Sequence, residues 1–213
     1  MTKAVQQYGA GVRMPLTQGE AIEIARLHLA CLPDSLITKL GFRYAARFYE
    51  SVTLAGDEAV FVARSDTGKI AAASLLSLDP DTLIQRLRKS TPLAKAVIAH
   101  PRSWVAVIRS LLDSLVGSPA DDSELVPEVV LLFTDESARG QGCASALLTA
   151  VEDYLRTTDH RTYCVKTEQS ASNPAIAFYR NRGFVAERMA SQSGTQFVVL
   201  TKTFGAEARK TER

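Results

Sequence analysis

The sequence predicts an α/β (α+β) chain, with a central sheet that opens antiparallel and helices against it. Three observations predict this class. Apolar, β-branched runs of strand length, such as EVVLLFT over Glu128–Thr134, carry no helical spacing of polar residues. Other segments repeat apolar residues at i, i+3, i+4 and i+7, as a helix does when one face lies on a sheet. Turn residues Asp66, Thr67 and Gly68 separate two early strand-like runs, which therefore form a hairpin.

Taken in order, residues 11–15 are a first strand candidate, and Thr17 with Glu20 three positions on is a capping box that starts a helix. Ala21, Ile24, Ala25 and Leu29 supply its apolar face. A second helix is expected from Ser35 through Phe42, Ala45, Phe48 and Tyr49, bent at Gly41. Residues 59–63 and 70–78 are the hairpin strands. Residues 82–112 contain no acidic residue but carry Arg86, Arg88, Lys89, Lys95, Arg102 and Arg109. Pro92 and Pro101 divide this stretch, giving a helical insertion over about 82–117. His100 within it has no neighbour to orient it and is read as structural.

After the strand Glu128–Thr134 comes Arg139, Gly140, Gln141, Gly142, Cys143 and Ala144, followed by a helical face of Leu147, Leu148, Val151, Tyr154 and Leu155. The glycines therefore open a helix. Its first turn has unpaired N–H groups and a positive dipole end, and neither glycine has a Cβ to keep a pyrophosphate away. Arg139 adds a charge at the rim. A dinucleotide fingerprint is excluded, because three positions after Gly142 stands Ser145, and the G-K-[ST] ending of a Walker A loop is absent. An ordinary strand-to-helix turn remains the alternative.

A strand is expected over residues 162–167, and then a second local signal follows. Asn173 is an N-cap, Pro174 suits the first helical position, and Gly183 suits the left-handed residue that ends a helix, so a short helix runs over Pro174–Asn181. Phe184 leads into a further strand.

These two segments resemble the GCN5-related N-acetyltransferase (GNAT) superfamily. Arg139, Gly142 and Ala144 match its acyl-CoA motif, and Asn173, Ala175, Phe178-Tyr179 and Gly183-Phe184 are similar to its next motif in order and spacing. The resemblance implies a GNAT-like fold, a mixed and mostly antiparallel sheet flanked by helices. It also implies one domain over 1–213, with an acceptor-side half over about 1–125 and an acyl-CoA-binding half over about 126–204. The hairpin of this family leads straight into the cofactor strand, so the insertion is a departure from its pattern.

The implied reaction moves an acetyl group from acetyl-CoA, a co-substrate, directly to a primary amine. It needs an uncharged amine beside the carbonyl, donors for the oxyanion, and a proton for the departing thiolate. By resemblance, main-chain N–H groups at Leu132, Phe133 and Thr134, where the family carries a bulge, serve the oxyanion. Tyr179 matches the tyrosine that faces the thioester sulfur; the alternative is a hydrogen-bonded tyrosine that shapes the pocket. Asn173 lies near the pantetheine or only caps its helix. Glu128 starts the cofactor strand, where several relatives place a base; an exposed strand-end carboxylate, or water-mediated deprotonation, is the alternative.

The 213 residues, 46% hydrophobic, suffice for one sizeable core, and a net charge of +2 does not imply nucleic-acid binding. Cys31, Cys143 and Cys164 show no metal-ligand spacing and read as free thiols in a reducing compartment, Cys143 as a small apolar filler ahead of a nucleophile. No signal segment and no apolar run of about 18 residues is present, so a cytoplasmic protein is expected. The expected partner is a small-molecule amine, and a homodimer is carried as a further expectation. The basic insertion reads as a solvated face, as a platform for an anionic acceptor such as a nucleotide-linked amino sugar, or as a peripheral membrane contact. Rival functions are a protein or peptide N-acetyltransferase, a non-catalytic CoA-binding regulatory module, and an RNA-modifying enzyme that draws only on the basic insertion and the tail.

Overall fold

The computed structural model describes residues 5–8, 16–54, 56–89, 126–170, 172–192 and 195–205. Its seven strands are β1 (Val5–Tyr8), β2 (Glu58–Arg64), β3 (Ile70–Ser77), β4 (Glu128–Thr134), β5 (Thr162–Glu168), β6 (Val185–Gln192) and β7 (Thr195–Thr203). They form one sheet in the order β1-β2-β3-β4-β5-β7-β6. Only β4 and β5 pair in parallel; the other described neighbours are antiparallel. The expected mixed, mostly antiparallel sheet is therefore found. The strand expected at 11–15 lies outside the described residues, whereas β1 gave no sequence signal. The single strand expected after Phe184 is a hairpin of β6 and β7.

Helix α1 (Gln18–Cys31) starts at the predicted capping box: Glu20 N–H donates to Thr17 Oγ1 at 3.3 Å, and Thr17 N–H donates to the Glu20 carboxylate at 3.2 Å. The same carboxylate pairs with Arg64 of β2 at 2.9 Å, tying the helix to the sheet. The expected bent second helix is instead two helices, α2 (Leu36–Lys39) and α3 (Phe42–Val52). Gly41 between them has φ +87°, outside the helical region, so the ladder stops rather than bends. Helix α4 (Pro80–Lys89) is the described part of the insertion; the rest of it lies outside the described residues. Helices α5 (Cys143–Thr157) and α6 (Pro174–Asn181) complete the fold.

Strand β3, IAAASLLS, is buried along its whole length because both of its faces are covered. On one face Ala72 and Leu76 meet Leu147, Leu148 and Val151 of α5, and on the other Ala73 and Leu75 meet Ile24, Phe48 and Tyr49 of α1 and α3. A continuous apolar run is what such a strand needs. The sheet thus has α5 on one side and α1 with α3 on the other, and β4 runs between the two layers toward the Arg139 turn.

Candidate active site

Strands β4 and β5 begin side by side and then part. Glu128 pairs with Cys164 and Val129 with Val165, and no later residue of β4 pairs with β5. A register shift against β3, where Leu76 faces Val129 and Leu75 faces Leu131, leaves Val130 as an extra residue in β4. This is a β-bulge, which bends a strand and locally stops pairing. The bulge expected at Leu132 to Thr134 therefore lies at Val130. Along residues 131–134, which pair with β3 on one side, the alternate main-chain groups face the gap that opens on the other, with no β5 pairing there.

At the end of β4, Cys31 Sγ of α1 donates to the Thr134 carbonyl at 3.4 Å. Asp135 then caps a 3-10 turn over Glu136–Ala138 through Ser137 N–H at 2.9 Å, and the chain passes through Gly140 (φ +70°) and Gly142 (φ +81°) into α5. Both glycines are left-handed, a conformation other residues adopt at a cost. A Cβ at either would meet nothing within 4 Å, so the space above them is open.

The first hydrogen bond of α5 runs from Ala146 N–H to the Gly142 carbonyl, and no side chain caps the helix. The N–H groups of Cys143, Ala144 and Ser145 therefore have no intrahelical acceptor. By contrast Thr17, Ser35 and Asn173 cap α1, α2 and α6. The open turn borders a cavity of about 280 Å³ lined by Thr134, Ala138, Arg139, Gly140, Gly142, Cys143, Ala144, Ser145 and Phe178. Three donors and a positive helix end facing a cavity beside an exposed arginine suit an anion.

Of the cradle residues expected from the sequence, Arg139, Gly140, Gly142, Cys143 and Ala144 line this cavity, as does Thr134. Gln141 does not: its side-chain amide donates to the Ser137 carbonyl at 2.7 Å and its N–H points to the Ala138 carbonyl at 3.3 Å. Cys143, 1% exposed, packs into the core beneath the turn, the apolar-filler reading. Leu132 packs partly on the α5 side, and Phe133 sits edge-on to His28 of α1 with ring centroids 5.2 Å apart. Neither lines the cavity by its side chain. Ser145 and Ala138 carry no site role in the sequence, and Phe178 enters there only as part of the second motif, without a place in the cavity wall; Ser145 follows from counting the free donors of a first helical turn.

Helix α6 borders the cavity through Phe178. Tyr179 is buried, edge-on to Phe178 and Phe184 at 5.2 and 5.3 Å, and burial pushes its phenol up to about 12. Asn173 is fully engaged: its Oδ1 accepts from Ala175 N–H at 3.0 Å, and its Nδ2 donates to Thr167 Oγ1 at 3.0 Å and to the Glu168 carbonyl at 2.7 Å. The structure gives it the capping role.

Glu128 is half-buried, not the exposed strand-end carboxylate of the alternative reading. Burial raises its pKa, Lys166 opposes this, Asp81 of α4 adds to it and Arg188 of β6 opposes it. Its neighbours Val129 and Val165 point into the α5 core, so Glu128 and Cys164 stand on the opposite face of the sheet. Arg86, from the basic insertion, is held by Asp57 at 3.8 Å and by the buried Glu58, which also accepts from Ser77 Oγ at 3.3 Å.

The acetyltransferase (GNAT) family model matches residues 22–184. No curated protein matches the chain. Solved structures share its fold: histone acetyltransferase HPA2 and related acetyltransferase from Corynebacterium glutamicum is 16% identical, with TM-score 0.61 over 98% of this chain and 99% of that one. The Drosophila melanogaster polyamine N-acetyltransferase, which forms N-acetylagmatine, is 15% identical, with TM-score 0.57 over 94% and 100%. The ribosomal-protein-S18-alanine N-acetyltransferase of Escherichia coli is 12% identical, with TM-score 0.55 over 99% and 100%. Among the described residues no helix is long and apolar enough to cross a membrane.

Proposed function

Because this chain belongs to the GNAT family of acetyltransferases, we propose that it transfers an acetyl group from acetyl-CoA to the primary amine of a small acceptor. The observation that carries this reading is the uncapped first turn of α5, open above Gly140 and Gly142 and set beside the gap between β4 and β5. The diphosphate of the coenzyme takes the N–H groups of Cys143, Ala144 and Ser145, with Arg139 at the rim. The pantetheine arm adds its amides to the unpaired edge of β4, as a further strand would.

In this reading the acceptor approaches from the face that carries Glu128. Its ammonium gives a proton to the Glu128 carboxylate, and the free amine attacks the thioester carbonyl. Main-chain N–H groups of β4 around the Val130 bulge hold the oxyanion. As the new C–N bond forms the nitrogen gives up its remaining extra proton to water, and as the C–S bond breaks Tyr179 gives its phenolic proton to the thiolate and takes one back from solvent. A half-buried carboxyl with a raised pKa is a better-matched base for an amine than an exposed one, which supports Glu128. The phenol stays protonated at working pH, although its raised pKa makes it a weaker acid than an ordinary tyrosine.

Arg86 is taken up by Asp57 and Glu58, so nothing in the described residues favours an amino sugar over another small amine. The test is calorimetry with CoA, followed by thiol release from acetyl-CoA across a panel of amino sugars, diamines, amino acids and peptides. Binding with amine-dependent thiol release is expected. Binding without release for any amine points to a regulatory module, and no binding overturns the proposal.

A further inference from the structure

The first turn of α5 points its donors usefully only if the helix is held at one rotation about its axis, and one residue of α6 does the holding. Arg182, at the C-cap of α6, reaches across to α5: its Nη2 donates to the Ser145 carbonyl and to Thr149 Oγ1, each at 3.1 Å. Ser145 belongs to the open turn, and its N–H is one of the three free donors. The tie thus grips the cradle itself and joins it to the helix that carries Phe178, which lines the same cavity.

Ser145, Thr149 and Glu152 fall at i, i+4 and i+7, on one face of α5. Further along that face Glu152 accepts from Tyr163 of β5 at 3.0 Å and from Lys202 of β7 at 2.6 Å. The C-terminal half of α5 is therefore fastened to the sheet, and its N-terminal half to α6. Arg182 holds this place at a cost. Its Nε is buried with no hydrogen-bond partner, and a buried donor left unpaired is destabilising. A plain apolar residue would close the seam between two helices without that penalty, so stability alone does not account for an arginine here.

We infer that Arg182 is a positioning residue for coenzyme binding, setting the direction of the α5 first-turn donors and the width of the cleft between Ser145 and Phe178. This rests on the coenzyme reading of the cradle. Removing the tie lets the first turn rotate and misaims the donors, with little direct effect on the reacting atoms.

The experiment is calorimetric titration of the full chain with CoA, with melting temperature measured alongside. Arg182→Met is expected to raise the Kd for CoA about tenfold, as loss of a shell that orients binding groups does. Arg182→Lys, which keeps a charge and a donor, recovers part of the loss, and Thr149→Val alone raises Kd by a smaller factor. The double variant is no weaker than Arg182→Met, since both changes cut the same tie. A folded Arg182→Met that melts lower but binds CoA like the wild type overturns the inference, because the residue is then only structural. Should that variant fail to fold, Thr149→Val decides, and an unchanged Kd there overturns it equally. A wild type that gives no heat with CoA instead overturns the reading of the cradle.

Discussion

Tyr49 donates its hydroxyl to Nδ1 of His28 across 2.6 Å, in a site where the imidazole is 0% exposed. On the other side Nε2 lies 2.8 Å from Ser35 Oγ. Ser35 spends its own proton on Thr38 Oγ1, which in turn donates to the Leu32 carbonyl. The directions are consistent only with the proton of a neutral imidazole on Nε2. This chain fastens α1, α2 and α3 together behind Phe133.

Burial holds the His28 pKa down to about 4, below the ordinary 6.5. The unfolded chain therefore binds the proton first, and stability falls as pH drops from about 6.5 to about 4. The loss approaches about 3 kcal/mol below that window and is absent above about pH 7. Urea unfolding at several pH values checks this. His28→Gln is expected to be less stable at neutral pH but to lose less on acidification. Glu58 and Glu128, whose carboxyls are raised first of all by burial, act in the opposite direction in both proteins, so the difference isolates His28.

Gly142→Ala separates folding from binding. The new Cβ meets no protein atom within 4 Å, so the stability cost is that of a left-handed alanine, about 1 kcal/mol. The space it enters is where the diphosphate sits in the proposed complex. Calorimetry is expected to show CoA affinity lowered far more than melting temperature; equal, small effects on both would argue that the turn only connects two elements.

Tyr179→Phe keeps the edge contacts with Phe178 and Phe184, so melting is expected to change little. Turnover falls about a hundredfold or more where chemistry limits the rate, as loss of a general acid does. With its phenol pushed up to about 12, Tyr179 remains protonated through pH 9 and contributes no alkaline limb to the pH profile below that value. With Glu128 as the proposed base, an acid limb is expected above the ordinary carboxylate range, and it is expected to disappear in Glu128→Gln, leaving a low, flat rate.

Arg86→Met leaves the Glu58 carboxylate, 0% exposed as a side chain, without its cation. Breaking a buried pair in this way costs about 3 kcal/mol, and Glu58→Gln in the same chain recovers part of it. Denaturant midpoints report the loss. Acceptor KM is expected to stay the same, since Arg86 braces α4 against β2; a large rise in KM would return it to the acceptor platform.

Local chemistry made much of this molecule legible in one dimension. Thr17 with Glu20, Asn173 with Pro174, and the glycines at 140 and 142 act within a single turn, so their spacing carries their meaning, and helices α1, α5 and α6 begin where that spacing says. Strands whose signal is equally local, β2 to β5, follow suit. Properties that depend on partners distant in the chain were settled by packing. The extra residue at Val130 exists only relative to the register of β3. Phe178 and Tyr179 are adjacent aromatics about 100° apart on a helix, and docking of α6 determined that the Phe178 side chain lines the cavity while the Tyr179 ring packs edge-on between Phe178 and Phe184. Gln141 turned away because Ser137 stood within reach, and Arg86 became a brace because Glu58 was buried beneath it. Periodicity specifies which face of an element is apolar; what that face meets is a free energy of the whole assembly.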